Sequence, residues 1–160
     1  MPTLGDAVIA DARTFFRADF LPKLERCIDS LTDDDVWWRA NDASNSIGNL
    51  ILHLDGSTRM WIVGVAGGGS MTRDRAAEFS ERGPIARRVL MDKLRATLDE
   101  VDAALARLDV QTLLEKRWSS REEVTVLWAI THAVEHFAMH TGQIILLTKQ
   151  RTGAALKPGT

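Results

Sequence analysis

The chain contains four histidines, and three of them stand in a single run, HAVEHFAMH, as His132, His136 and His140. Residues four apart on a helix lie one above the other on the same face, about 6 Å apart. Two imidazoles so placed can converge on one divalent ion. Three in a row cannot, because the outer two are about 12 Å apart along the axis. One pair must therefore serve, 132/136 or 136/140. The fourth histidine, His53, lies between Leu50 and Leu54 in an apolar stretch. A lone histidine on an apolar face is usually a hydrogen-bonded core residue. Here every histidine falls on two such faces, and neighbours stand at ligand spacing, so metal binding competes with plain burial. A zinc-protease site is excluded, since Ala133 and Phe137 occupy the positions where HExxH needs a glutamate.

The elements that must position these residues are helical. Four segments carry the 3.6-residue period, and no segment alternates like a strand. The first runs from about Leu4 to Leu31, with Ile9, Phe16, Phe20, Leu24, Ile28 and Leu31 as its apolar stripe. Thr3 and Asp6 have capping-box spacing at its start, and Pro22 predicts a kink or break near Asp19. The second runs from about Ser46 to Ala66 and stops at Gly67, Gly68 and Gly69. The third is expected from Pro84 to about Leu108, with a charged outer face that reads as solvated surface. The fourth is expected from about Arg121 to Gln150, opened by a Ser120/Glu123 capping box. Between Val124 and Leu147 it is apolar nearly all round, which suits a central helix or one that also faces a second subunit. These segments predict an all-α four-helix bundle, up-down in order, with a longer connection between helices 2 and 3 (Gly67 to Gly83). The expected organisation is a single domain over residues 1–160, with the tail 151–160 fraying.

Composition narrows the function. Lys and Arg (20) nearly balance Asp and Glu (22) and form no basic block, which argues against nucleic-acid binding. The most apolar window, Ile47 to Ala66, contains His53, Asp55 and Arg59, so no membrane span is expected. The N-terminal MPTLGDAVIADARTFFR lacks the pattern of a signal peptide, and a cytoplasmic location follows as the expectation. The one cysteine, Cys27, has no partner for an internal disulfide and reads as a core residue.

Three segments, SNSIGNLILHL (Ser44 to Leu54), TRDRAAEF (Thr72 to Phe79) and EHFAMHTGQII (Glu135 to Ile145), resemble the DinB-like superfamily of bacterial four-helix bundles. That group includes thiol-dependent S-transferases of the bacillithiol type. The resemblance extends from about Phe16 to Lys149 and agrees in helix order. It implies one divalent metal, zinc or nickel first and iron or manganese as alternatives, held by one histidine of the second helix and an HxxxH pair that precedes Gly-Gln on the last. On this chain those positions are His53, His136 and His140, followed by Gly142 and Gln143, and His132 falls one turn too early. A homodimer is also implied.

Three neutral imidazoles leave a coordination position open, the pattern of a catalytic site. Each ligand must donate its second ring N–H to some acceptor. Asn49 lies one turn before His53, and Gln143 lies three residues after His140, so both are candidates for the site. Trp37, Trp38 and Trp61 are candidates for its wall, while Gly142 reads as a place of close helix approach. Glu135 points about 100° away from His136 and is not expected to act as a base. The leading functional expectation is a metal-dependent enzyme with a small-molecule substrate, its concrete form by resemblance being a thiol S-transferase in which a low-molecular-weight thiol attacks a small electrophile. A metal-dependent hydrolase and a noncatalytic, metal-binding, dimeric stress-response protein are the alternatives.

Overall fold

The structure, a computed structural model, describes residues 1–156. Thr3 opens α1 (Leu4–Thr14) with the expected capping box, its Oγ1 accepting Asp6 N–H while the Asp6 carboxylate accepts Thr3 N–H. Pro22 has no N–H, and its ring displaces the carbonyl four residues back. The chain accommodates this with a π-helical segment, Phe15–Phe20, before α2 (Leu21–Asp29), and Leu21 N–H reaches back five residues to Phe16 O. The interruption expected near Asp19 is thus a widened turn. Phe16, Phe20 and Leu24 stay on one buried stripe.

After a short α3 (Asp33–Trp37), Ser46 caps α4 (Ile47–Thr58), which continues as a second π-helical segment, Arg59–Ala66. The third rod, α6, spans Arg87–Ala106 and starts later than Pro84. Before it the chain runs past Trp37, whose indole N–H donates to Ile85 O at 2.9 Å, and Asp33 Oδ1 accepts Arg87 N–H. The fourth rod, α7, spans Val126–Thr152 and ends on Gly153 in the left-handed conformation. The tail expected to fray from residue 151 is therefore helical to Thr152, and residues 157–160 lie outside the described residues.

Side-chain pairs along the rods give their directions. Arg13–Asp102, Arg17–Asp99 and Arg95–Glu25 set the first rod antiparallel to α6. Asp55 with Lys93, and Arg59 with Glu100, set the second rod parallel to α6. His53 beside His140 and Trp61 beside Trp128 set it antiparallel to α7. The four-helix bundle is as expected, and so is the longer connection between its second and third helices. That connection is a crossover, so the third rod repeats the direction of the second where a plain up-down order would reverse it. It carries the short helix α5 (Arg75–Ser80), packed against α4.

The segment before α7 departs from expectation. Lys116–Trp118 (β1) pairs antiparallel with Glu123–Thr125 (β2), with Arg117 opposite Val124. Ser120, expected as a helix cap, has φ +80° in the hairpin turn, and the cap of α7 is Thr125, whose Oγ1 accepts Trp128 N–H at 3.1 Å. Three-residue strands are too short to show alternation, and the helical period of the following residues masked them. One continuous core runs between the rods and includes Cys27, Leu54, Leu94, Leu98 and Phe137, each at most 1 % exposed. No described helix is long and apolar enough to cross a membrane.

Candidate metal centre and its cavity

The antiparallel packing of α4 on α7 brings three histidines together. His136 Nε2 lies 3.1 Å from His53 Nε2 and 3.2 Å from His140 Nε2. The three rings are mutually edge-on, with centroids 4.5–4.9 Å apart. Of the pairs on the last helix, 136/140 joins His53. His132 stands apart, stacked on Trp128 at 4.7 Å and edge-on to Trp61.

The outer ring nitrogens fix the tautomers. His140 Nδ1 is 2.7 Å from Gln143 Oε1, an acceptor, so Nδ1 carries the proton and Nε2 presents its lone pair. His53 Nδ1 is 2.9 Å from Glu78 Oε2. Arg73 Nη2 lies 3.0 Å from the same nitrogen but donates to Glu78 Oε2 at 2.7 Å. A carboxylate oxygen facing a second lone pair would be repelled, so His53 Nδ1 is the donor and its Nε2 is bare. At least two of three converging nitrogens therefore carry no proton. Two nitrogens each about 2.1 Å from a common ion stand about 3.0–3.4 Å apart between octahedral and tetrahedral angles, which matches both separations from His136, and all three ligand atoms lie within 4.8 Å of one another. The residues fit one divalent cation held by three neutral imidazoles.

The remaining electrostatics agree. Burial, followed by the neighbouring His140, His53 and His132, pushes the His136 pKa down to about 3. Burial also lowers that of His140, partly offset by its hydrogen bond to Gln143. Burial alone would raise the Glu78 carboxyl, but hydrogen bonds from Arg73 and His53 outweigh it and hold the group below its ordinary value. The His136 and His140 ring nitrogens are therefore available as ligands at neutral pH.

Beside the centre opens a cavity of about 670 Å³, reached by His53 and His136 and walled by Trp61, Trp118, Trp128 and the hairpin. The volume suits a drug-sized ligand.

A family model described as mycothiol-S-transferase matches residues 14–153. The chain belongs to this family. Among solved structures it is similar to a DinB-like protein from Bacillus cereus ATCC 10987, with TM-score 0.67, 15% identity, and 88% of this chain and 90% of that one covered. It is also similar to a conserved protein from Enterococcus faecalis, with TM-score 0.67, 16% identity and 94% and 96% covered. These likenesses show the shared fold, and with the family match they place the chain in the DinB-like superfamily. No curated protein sequence matches it significantly.

In this member of the mycothiol-S-transferase family the other expected residues divide. Gln143 orients His140. Asn49 is fully buried and does not line the cavity. Its Oδ1 accepts from Ser46 and Arg39, and its amide donates to the carbonyls of Glu78 and Glu81. It thus ties the crossover to α4. Trp61 lines the cavity, whereas Trp37 and Trp38 border a separate cleft with Gly83 and Arg151. Glu135 is exposed, and its one ion pair among the described residues is with His132, at 3.5 Å. Gly142 does not mark a close helix approach within the chain, since a Cβ there would meet nothing within 4 Å. Sequence reading missed Glu78, Arg73, Trp118 and Trp128. The unassigned TRDRAAEF segment was the available signal for the first two, because a ligand histidine needs an acceptor and that segment supplies a carboxylate.

Proposed function

We propose that the chain is a divalent-metal-dependent thiol S-transferase, with His53, His136 and His140 as the metal ligands. The observation that carries this reading is the convergence of bare imidazole nitrogens at the edge of a cavity large enough for two small reactants. Zinc or nickel is the metal proposed first, with iron and manganese as alternatives, since imidazole ligands alone do not choose among them. The thiol is of the mycothiol type, the cosubstrate in the family's name.

The chain's own residues would do the following. Glu78 and Gln143 hold His53 and His140 in the donor tautomer and aim their Nε2 atoms inward. Arg73 keeps Glu78 ionised and is itself nearly buried by the pair. A divalent ion held there lowers the pKa of a thiol brought against it, so that the thiolate form is available at neutral pH. The cavity walls would align the electrophile with that sulfur. Attack forms the new sulfur–carbon bond as the electrophile's leaving group departs with the displaced electron pair, or as its double bond accepts the pair and is then protonated.

In this reading residues 1–160 act as one domain in the cytoplasm, in defence against reactive small molecules. Exposed Met139 and Leu146 on the last helix support a homodimer through that face. The first experiment is metal analysis of tag-free protein beside His136→Ala, followed by turnover of mycothiol with an electrophile. Near one metal per chain, lost with turnover in a variant of unchanged helicity, is the expected result. Undiminished turnover in His136→Ala would end the metal mechanism.

A further inference from the structure

The cavity holds two features that metal ligation does not use. One is an aromatic cluster away from the three ligands. Trp61 and Trp128 meet edge to face at 5.4 Å, and His132 stacks on Trp128 with an interplanar angle of 12°. Trp128 is 44 % exposed, and Trp118 on the hairpin is 66 % exposed. Indoles this exposed on a cavity wall keep apolar surface that a ligand can cover, which for Trp128 is the part that His132 does not stack on.

The other feature is charge. The cavity is lined by Arg73, Arg75 and Arg121 against a single carboxylate, Glu122, on a chain of net charge −2. Arg73 is engaged by Glu78, but Arg75 and Arg121 make no ion pair or hydrogen bond among the described residues. The Arg75 guanidinium lies over the Phe79 ring at 4.9 Å, and Phe79 packs on His53 at 4.6 Å. That stacking occupies the face of the guanidinium and leaves its N–H edges free for an anion.

We propose that this part of the cavity is the acceptor subsite and binds a planar aromatic electrophile bearing a carboxylate or sulfonate, its ring on Trp61 and Trp128 and its anion toward Arg75 and Arg121. A neutral polyhydroxylated ligand also stacks on indoles but would leave both guanidiniums without a counter-charge. As an acceptor site the assignment rests on the S-transferase reading; as a binding site it needs neither metal nor thiol.

The test uses full-length, nitrogen-15-labelled protein, metal-free and metal-loaded, titrated with 2-naphthalenesulfonate, with neutral 2-naphthalenemethanol and with methyl glucoside. The five indole N–H signals, assigned by Trp→Phe variants, report the location, and calorimetry reports the affinity. Saturable shifts of Trp61 and Trp128, with Trp37 and Trp38 unmoved, are expected. The sulfonate should bind about tenfold tighter than the alcohol, a preference erased by Arg75→Gln with Arg121→Gln. Trp128→Ala should weaken both aromatic ligands by about five- to tenfold, and Trp128→Phe should restore most of the loss. The proposal is overturned by no saturable shift, by shifts confined to Trp37 and Trp38, by equal affinity for sulfonate and alcohol, or by binding of the glucoside alone. Failure of turnover with every thiol, beside intact sulfonate binding, would sink the transferase reading and leave the subsite. Turnover without aromatic binding would do the reverse.

Discussion

Glu78 Oε2 accepts the Nδ1 proton of His53 across 2.9 Å, and this contact ties the crossover between the second and third rods to the candidate metal centre. The carboxylate is in turn bracketed by Arg73, through Nε at 2.6 Å and Nη2 at 2.7 Å. Both side chains are nearly buried, so the arrangement is preorganised. A helix of only six residues, α5, would not be stable alone. It is held by Asn49, whose amide donates to the carbonyls of Glu78 and Glu81.

The first prediction concerns that link. Glu78→Ala removes the acceptor that fixes the His53 tautomer and leaves Arg73 without its partner. Metal affinity should fall about 10- to 100-fold. Competition of zinc-loaded protein against a chromophoric chelator measures this directly. An unchanged dissociation constant would show that His53 needs no orienting carboxylate.

The second prediction is a pH dependence of the metal-free protein. The His136 pKa is about 3 when folded, against an ordinary value of 6.5. Between those values the unfolded chain holds a proton that the folded chain does not, so stability falls as the pH drops. The contribution is fully present above about pH 6.5 and declines below it, by at most about 1.4 kcal/mol per pH unit for this residue. His140 shifts in the same direction and adds to the slope. Urea unfolding of chelator-treated protein at pH 7 and pH 5 should show a drop in the wild type that is smaller in His136→Gln. Equal drops in the two proteins would contradict the buried, neutral ring.

The third prediction uses glycines in opposite situations. Gly142 lies inside α7, where a Cβ would meet nothing within 4 Å. Gly142→Ala should therefore stabilise an isolated chain by about 0.5–1 kcal/mol. Gly83 has φ +75°, and a Cβ there would sit 2.9 Å from the Trp37 ring, so Gly83→Ala should destabilise. Thermal melts of both variants check the signs. If a second copy covers the Met139–Leu146 face in solution, Gly142→Ala will instead lower the melting temperature and weaken the dimer.

The histidine cluster and the rods were legible because they depend on short, regular spacings. HAVEHFAMH sets two ligands one turn apart, and the apolar stripes of four segments carry the helical period. The choice of His140 over His132 was not legible from spacing, since both stand four residues from His136. The resemblance to DinB-like proteins pointed to His140, and the antiparallel register of α4 on α7 brings it to His53 while Trp61 and Trp128 take His132. Asn49 has the right helical position, yet its side chain serves the capping box with Ser46. Glu78 and Arg73 were out of reach because the path of a crossover depends on tertiary contacts. The hairpin was hidden because its strands are three residues long.

The last prediction concerns that hairpin, which supplies one wall of the cavity. The Arg117 guanidinium donates to Ala66 O and, at 3.5 Å, lies near Val65 O. These carbonyls end the second rod and have no partner further along it. The arginine thus caps a helix and holds β1 beside it. Charged hydrogen bonds of this kind contribute about 1.5–3 kcal/mol. Arg117→Ala should lower stability by that amount and speed amide hydrogen exchange across residues 116–125, with the core of α7 unaffected. Arg117→Met keeps the apolar stem without the donors, so the two variants should behave alike if the hydrogen bonds matter and differ if the stem's packing does. Because Trp118 follows directly, loosening the hairpin should also weaken whatever ligand the aromatic wall holds. Unchanged exchange in the hairpin would mean that its own ladder and the loop bonds of Ser119, and not the tether to the second rod, keep the wall in place.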